Sequence, residues 1–456
     1  MPSRASMQTG KSAARTRRTS NAKYVRPSSV QYDDSQAFMT FRMVEPTGVW
    51  EDWGAQLTIG DRLGRLGYAT ASYGKWHLQG GGPQEHGYDE SDGDTGNEEG
   101  KYGSSSDPKY IYSMTRKAVG FARDQVSAQR PFFVTVNHYA EHNPVHHSRA
   151  GSAAVSHLRD IDINHKLGTR KIAAMVWDMD SSIGTLVDAI DELGVRSHTY
   201  VVFTSDHGTD VDTGSGQLLR GGKWTLWNGG IRVPLIVTGP GVSVGSRSNG
   251  NVVAYDFLPT FVDWAGGGNL TAADDGVDGL SLAPLLRGGT AEALDRRAIH
   301  FHSPHSRNFV PHSAVIQGDH KLLRFYDHPG SAYVYHLDND LGETHNIAIE
   351  AGARATRVTR ELNEAMDQHH AEVGAVLPVP NSCANRSTVP LSELRREFDP
   401  ERLVVTGSSS VYDPDRGDPV RFLRFFKGYY NFERASSKAS PYTRSDCPLP
   451  NTAPTA

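Results

Sequence analysis

Four short polar segments carry residue types that can do ionic chemistry. Thr204-Ser205-Asp206-His207-Gly208 sets a carboxylate beside an imidazole directly after the apolar run 200–203. That pairing suits a divalent cation; a turn leading into a helix N-cap is its competing structural use. Gly74-Lys75-Trp76-His77-Leu78 follows the run 68–73. In an extended chain Lys75 and His77 point to one face, two potential cations aimed at an anionic group. Ala140-Glu141-His142-Asn143-Pro144 follows 132–136, with His138, His146 and His147 close in sequence. Pro144 pins the local backbone, which makes His142 the best positioned of the four histidines. Gly221-Gly222-Lys223-Trp224-Thr225 precedes Gly229-Gly230-Ile231-Arg232-Val233-Pro234. Paired glycines let backbone approach a ligand closely, and Lys223 is placed to meet a charged one. Taken singly, each segment also reads as an ordinary surface loop.

Three of the four segments lie just past an apolar run, and open α/β sheets form their sites beyond the carboxyl ends of strands. The elements that would position them are legible. Residues 58–66 read as a short helix stopped by Gly67, and 68–73 as a strand. Residues 132–136 form a second strand. Ile172, Val176, Met179, Ile183, Leu186, Val187, Ile190 and Leu193 recur at helical steps, and Gly194 supplies the stop. The continuous apolar run 200–203 predicts a parallel strand covered on both faces. Residues 231–237 predict another strand and 256–265 a helix. Alternation of this kind predicts an α/β fold with a mixed, mostly parallel central sheet flanked by helices. Beyond residue 290, strands at 314–316, 321–326 and 332–337 with short Gly/Asp turns predict an antiparallel meander, followed by a helix at 351–370. The expected division is a large α/β domain over 1–290, a small α+β domain over 291–380 and an irregular tail over 381–456.

Composition narrows the function classes. Lys+Arg number 47 and Asp+Glu 52, so no global basic field favours nucleic acid. The aromatic-basic stretch 421–432 reads as a segment docking on the main body. Two cysteines, Cys383 and Cys447, exclude a disulfide-built scaffold and leave their own pairing open. No run of about 18 apolar residues predicts a membrane span. Residues 1–32 hold seven Lys/Arg and no acid, a transit-peptide-like profile. Gly10-Lys11-Ser12 imitates the end of a phosphate-binding loop but lacks the strand that such a loop needs before it. There is no Gly-x-Ser-x-Gly elbow and no His-Glu-x-x-His zinc motif.

Read together and in order, the segments resemble the sulfatase family of the alkaline phosphatase superfamily. The stretch Gly67-Tyr68-Ala69-Thr70-Ala71-Ser72-Tyr73-Gly74-Lys75-Trp76-His77-Leu78 is similar to that family's G-Y-x-T-x-x-x-G-K-W-H-L signature, and Met1 to Gly10 to the end of its C-x-P-S-R-x-x-x-x-T-G signature. Ser205–Gly208, 221–225, 229–234, 278–282 and 318–322 resemble further blocks. The resemblance covers residues 1–380, implies an alkaline phosphatase-like fold, and reassigns 1–10 from a targeting segment to the start of an active-site helix. It implies hydrolysis of sulfate monoesters by a formylglycine nucleophile and a divalent metal, Ca2+ with Mg2+ as alternative. By the same resemblance Arg4 would steady the nucleophile, and Asp206 and His207 would ligate the metal. Lys75, His77 and Lys223 would bind sulfate oxygens, and His142 or Lys223 would protonate the leaving oxygen. His207 stands where the family more often has Asn. Met1 falls on the x of C-x-P-S-R, so formylglycine is expected just before Met1 and absent from this chain. The family's first strand, with an Asp-Asp pair of metal ligands, is missing too. The expectation is a sulfatase chain N-terminally truncated at the nucleophile motif and inactive as it stands. A phosphodiesterase or phosphonate hydrolase of the same superfamily, or a non-catalytic remnant binding sulfated glycans, are the other readings. The substrate expected is a sulfated small molecule or glycan; the family points to an extracellular, periplasmic or lysosomal-type compartment. Oligomeric state stays open.

Overall fold

The computed structural model describes residues 2–19, 56–101, 103–142, 167–208, 219–305, 311–326, 330 and 332–380, with three short strand pieces elsewhere. One of these, β1 (Met43–Val44), pairs antiparallel with Val379–Pro380. The chain opens as helix α1 (Pro2–Thr9) and a single turn, α2 (Ala13–Thr16), capped by the Ser12 hydroxyl. Lys11 donates to Gln56 and Ser12 serves as the cap, so the phosphate-loop imitation is a helix junction.

Helix α3 (Ile59–Arg65) starts at a reciprocal cap between Thr58 and Asp61. It buries Ile59 and Leu63 against Leu258 and Val262. Gly67 then turns the chain with a positive φ, as expected. Strand β2 (Ala69–Gly74) follows, paired in parallel with β3 (Glu90–Ser91) on one side and β4 (Phe132–Asn137) on the other. Its Ala-Thr-Ala-Ser-Tyr-Gly sequence is buried throughout. Small side chains let α4 (Ile111–Ser127) lay Met114, Ala118 and Phe121 close against the sheet. The long helix α5 (Leu167–Glu192) packs behind α4 through Tyr112 to Asp178, 2.8 Å, and through the Thr115 and Ser182 hydroxyls.

The register sets Gly74 directly opposite Asn137 at the carboxyl ends of β2 and β4. Gly74 has φ +89°, and a Cβ there would sit 2.2 Å from the Asn137 carbonyl oxygen and 2.5 Å from the Met114 sulfur. Only glycine allows that approach.

Strand β5 (Val201–Thr204) departs from expectation. It pairs antiparallel with β6 (Leu235–Thr238), and both are only partly buried. A continuous apolar run reports burial but not strand direction, which explains the error. The strand expected over 231–237 is shorter as well. Asn228–Ile231 forms a helical turn, α6, and Pro234 limits pairing to the residues after it. Helix α7 (Phe257–Trp264) covers the α3 side, as the 256–265 pattern implied.

The remaining sheet is an antiparallel meander ordered β10-β9-β8-β7, with β7 (Ala298–Ser303), β8 (His312–Gln317), β9 (His320–Phe325) and β10 (Ala332–His336). One face packs Ile316, Leu323 and Phe325 with Trp227 and Tyr255. The other packs Val315, Leu322 and Val334 under Val358, Leu362 and Met366 of the helix Ala353–Val373. The fold is therefore α/β with a parallel sheet and a separate antiparallel sheet. Among the described residues no helix is long and apolar enough to cross a membrane. The 421–432 stretch and both cysteines lie outside the described residues.

Candidate active site

The half-buried guanidinium of Arg4 gathers the ends of three elements. Its Nε donates to Asp206 Oδ2 at 2.8 Å, and one terminal nitrogen donates to the Lys75 carbonyl at 2.6 Å and to Asn137 Oδ1 at 3.4 Å. Asp206 follows β5, Lys75 follows β2 and Asn137 ends β4. The rigid fork of Arg suits three acceptors at once, where a Lys point charge does not. Helix α1 buries Ala5, Ser6, Gln8 and Thr9, of which all but Gln8 are small.

Lys75 is 8% exposed. Burial lowers its pKa to about 7; the charges of Arg4, Lys223 and Lys109 push the same way, and Asp206 opposes them. Burial also raises the cost of ionising Asp206, but Arg4, His207 and Lys75 outweigh it and hold the carboxyl far below its usual range. Lys223 lies near enough to lower both Lys75 and His207. The charge of His142 adds a small push in the same direction on His77.

Two details of the sequence reading change. Strand β2 ends at Gly74, and His77 has φ +56°, so strand alternation is not what brings Lys75 and His77 together. Burial, reinforced by Lys75, lowers His77 to about 3, so it is a neutral imidazole rather than a second cation. His138 is likewise a core histidine, lowered by burial to about 4. His146, His147 and Pro144 lie outside the described residues.

Three contributors went unread in the sequence. Asn137 links Arg4 to Ser72 Oγ, 3.3 Å away. Thr95 clamps the strand end: its hydroxyl donates to the Gly74 carbonyl at 2.6 Å and accepts from Trp76 N at 2.9 Å, and its carbonyl accepts from His77 N at 2.7 Å. Thr95 thereby holds the segment Gly74–His77 in place. Lys109 is buried, donates to the Gly100 carbonyl and adds positive charge near Lys75. Asn137 directly follows an apolar run and was visible in principle. Thr95 and Lys109 gave no local signal.

The glycine-paired loop of Lys223 is anchored from the second sheet. Lys321 and Glu343 form a fully buried ion pair at 2.6 Å. Glu343 accepts from the Asn228 amide at 2.6 Å, and its carbonyl accepts from Arg220 at 2.6 Å. Arg220 also stacks on Trp227, 4.6 Å from the ring centroid. This brace fixes both flanks of residues 221–227.

Asp206 Oδ1 and His207 Nε2 stand 3.4 Å apart. The pair offers two donors, fewer than the six to eight oxygens Ca2+ takes. The one cluster of three or more ligand-type groups among the described residues lies elsewhere, at Asp319, His320 and His336.

A sulfatase family model matches residues 1–267, and a model for the C-terminal part of N-sulphoglucosamine sulphohydrolase matches 222–372. The chain belongs to the sulfatase family. It is 29% identical to a sulfatase of Formosa agariphila over 266 residues, 55% of this chain and 48% of that protein. It is 27% identical to arylsulfatase A of Bos taurus over 316 residues, 59% of this chain and 58% of that protein. The chain thus spans about half the length of these curated relatives. Among solved structures, Ps i-CgsB in complex with k-i-k-neocarrahexaose superposes with TM-score 0.61 at 22% identity, over 80% of this chain and 81% of that one. BT4656 in complex with its substrate D-glucosamine-2-N,6-O-disulfate superposes with TM-score 0.58 at 21% identity, over 82% and 88%. These likenesses establish the shared sulfatase fold. Sulfatases generally use a metal ion.

Proposed function

We propose that this site binds the sulfate group of a sulfate monoester and belongs to a sulfuric ester hydrolase. The observation that carries the reading is the charge imbalance around Arg4. Arg4, Lys223 and Lys109 each add positive charge at Lys75, with Asp206 as the opposing charge. Such a cluster is short of negative charge, and an anionic ligand relieves it.

In this reading Lys75 and Lys223 hold sulfate oxygens as cations, and His77 holds one as a neutral hydrogen-bond donor. The same groups stabilise the charge that builds on those oxygens during S–O cleavage. His142 or Lys223 gives its proton to the leaving oxygen. Arg4 keeps Asp206 ionised and orients the start of α1, where the family motif places its nucleophile next to Pro2-Ser3-Arg4. In the family that nucleophile is a formylglycine, which would attack the sulfur. A divalent ion, Ca2+ before Mg2+, would polarise the sulfate. Asp206 and His207 would supply only part of its coordination. Sulfated glycans are the favoured substrates, since the structural relatives named above are described with a neocarrahexaose and with a disulfated glucosamine.

Binding and turnover of 4-nitrophenyl sulfate, measured side by side, test this. Saturable binding is expected, weakened in Lys75→Ala, and any turnover should be lost in Lys75→Ala and His142→Ala. Turnover that survives both Lys75→Ala and His142→Ala would overturn the residue assignment.

A further inference from the structure

The antiparallel sheet carries a second group of ligand-type side chains, outside the Arg4 cluster. Asp319 and His320 stand at the turn between β8 and β9, and His336 ends β10. The β9–β10 register pairs His336 with His320 across the ladder. One carboxylate oxygen of Asp319 contacts Nδ1 of His320, and the other lies 3.0 Å from Nε2 of His336. The two rings meet edge to face at a centroid distance of 4.8 Å, and ligand atoms from all three residues lie within 4.8 Å of one another.

We propose that Asp319, His320 and His336 form a binding site for a divalent transition ion of the Zn2+ type, with solvent completing the coordination. Two of the three donors are imidazoles, which selects against Ca2+ and Mg2+ and suits Zn2+ or its spectroscopic substitute Co2+. The scaffold is stiff: the Leu337 amide donates to the Asp319 carbonyl at 2.7 Å, tying the turn to the end of β10. The rings themselves are less constrained. Nδ1 of His336 is buried with no hydrogen-bond partner, so Asp319 is the ring's one polar partner among the described residues. Side-chain exposures of 12% for His320, 22% for His336 and 40% for Asp319 leave the carboxylate side open to an entering ion. A bound ion would staple the β8–β9 turn to β10, the outer strand of that sheet.

The test is Co2+ and Zn2+ titration of the full 456-residue chain after chelator treatment. The expected result is a visible Co2+ band of a low-coordinate nitrogen–oxygen site, one equivalent strong and displaced by Zn2+, with a Zn2+-dependent rise in Tm. His320→Gln and His336→Gln, each checked for folding by circular dichroism, should each weaken Co2+ binding by at least about tenfold and abolish the Tm rise. His207→Gln should leave the band unchanged. No Co2+ band in the parent chain, an affinity indifferent to both Gln variants, or a band lost in His207→Gln overturns the proposal.

Discussion

Arg4 Nε reaches Asp206 Oδ2 at 2.8 Å across 202 residues of sequence. The contact joins the first helix to the end of β5, and the same guanidinium holds the backbone just after β2 and the side chain that ends β4. The site is thus built around a cation fixed before any ligand arrives. Arg4→Ala should leave Asp206 largely buried without its nearest partner. The expected cost is roughly 3 kcal/mol of stability, read by urea denaturation. Arg4→Lys restores charge but not the fork, so it should recover part of that loss. An unfolding midpoint unchanged by Arg4→Ala would contradict the role.

Lys75 ties anion binding to pH. Burial, then Arg4, holds its pKa near 7 in the ligand-free protein. A bound sulfate ester favours the ammonium, so binding above pH 7 must take up a proton. Affinity should fall as pH rises through 7, approaching about tenfold per unit at the limit. Calorimetry in buffers of different ionisation enthalpy would read the proton directly. Lys75→Arg keeps its charge and should flatten the profile between pH 6 and pH 8.

A histidine seam between β7 and the helix Ala353–Val373 predicts acid lability. His300 stacks on His369 at 3.9 Å, and His302 faces His370 at 5.1 Å. Burial lowers His300 to about 2, His302 to about 3 and His370 to about 4, with neighbouring imidazoles adding to the effect, and it lowers His369 as well. These rings fold neutral. Below about pH 6.5 the unfolded chain binds protons that the folded chain refuses, so stability falls as pH falls from there. Tm should drop steadily between pH 6.5 and pH 4. His300→Phe keeps the stack and removes one titration, so its Tm should drop less steeply over the same range.

How far the sequence announced this molecule depended on whether the signal was local. The strand–turn 67–78, the capped helix before it and the 172–193 helix are written in periodicity, small residues and glycine stops, and they fold as read. Lys75 and Asp206 were nominated because each follows an apolar run, and Arg4 because it falls in a family-like motif. Strand direction at Val201–Thr204 was not legible, because the partner strand decides it. Thr95 and Lys109 gain their roles only through contacts made after folding. The electrostatic reversal at His77 was equally hidden, since a neutral imidazole there follows from burial beside Lys75. Asp319 and His320 were visible as a family-like block, but only the β9–β10 register brings His336 to them.

Lys75 and Lys223 are the residues proposed to receive the sulfate group. Titration of 4-nitrophenyl sulfate into the 456-residue chain, with Lys75→Ala and Lys223→Ala alongside, tests this most directly. The account predicts one-to-one binding, competed by inorganic sulfate and weakened by about tenfold or more in each variant, the loss expected of a charge-assisted contact. Equal affinity in the parent chain and both variants would contradict it.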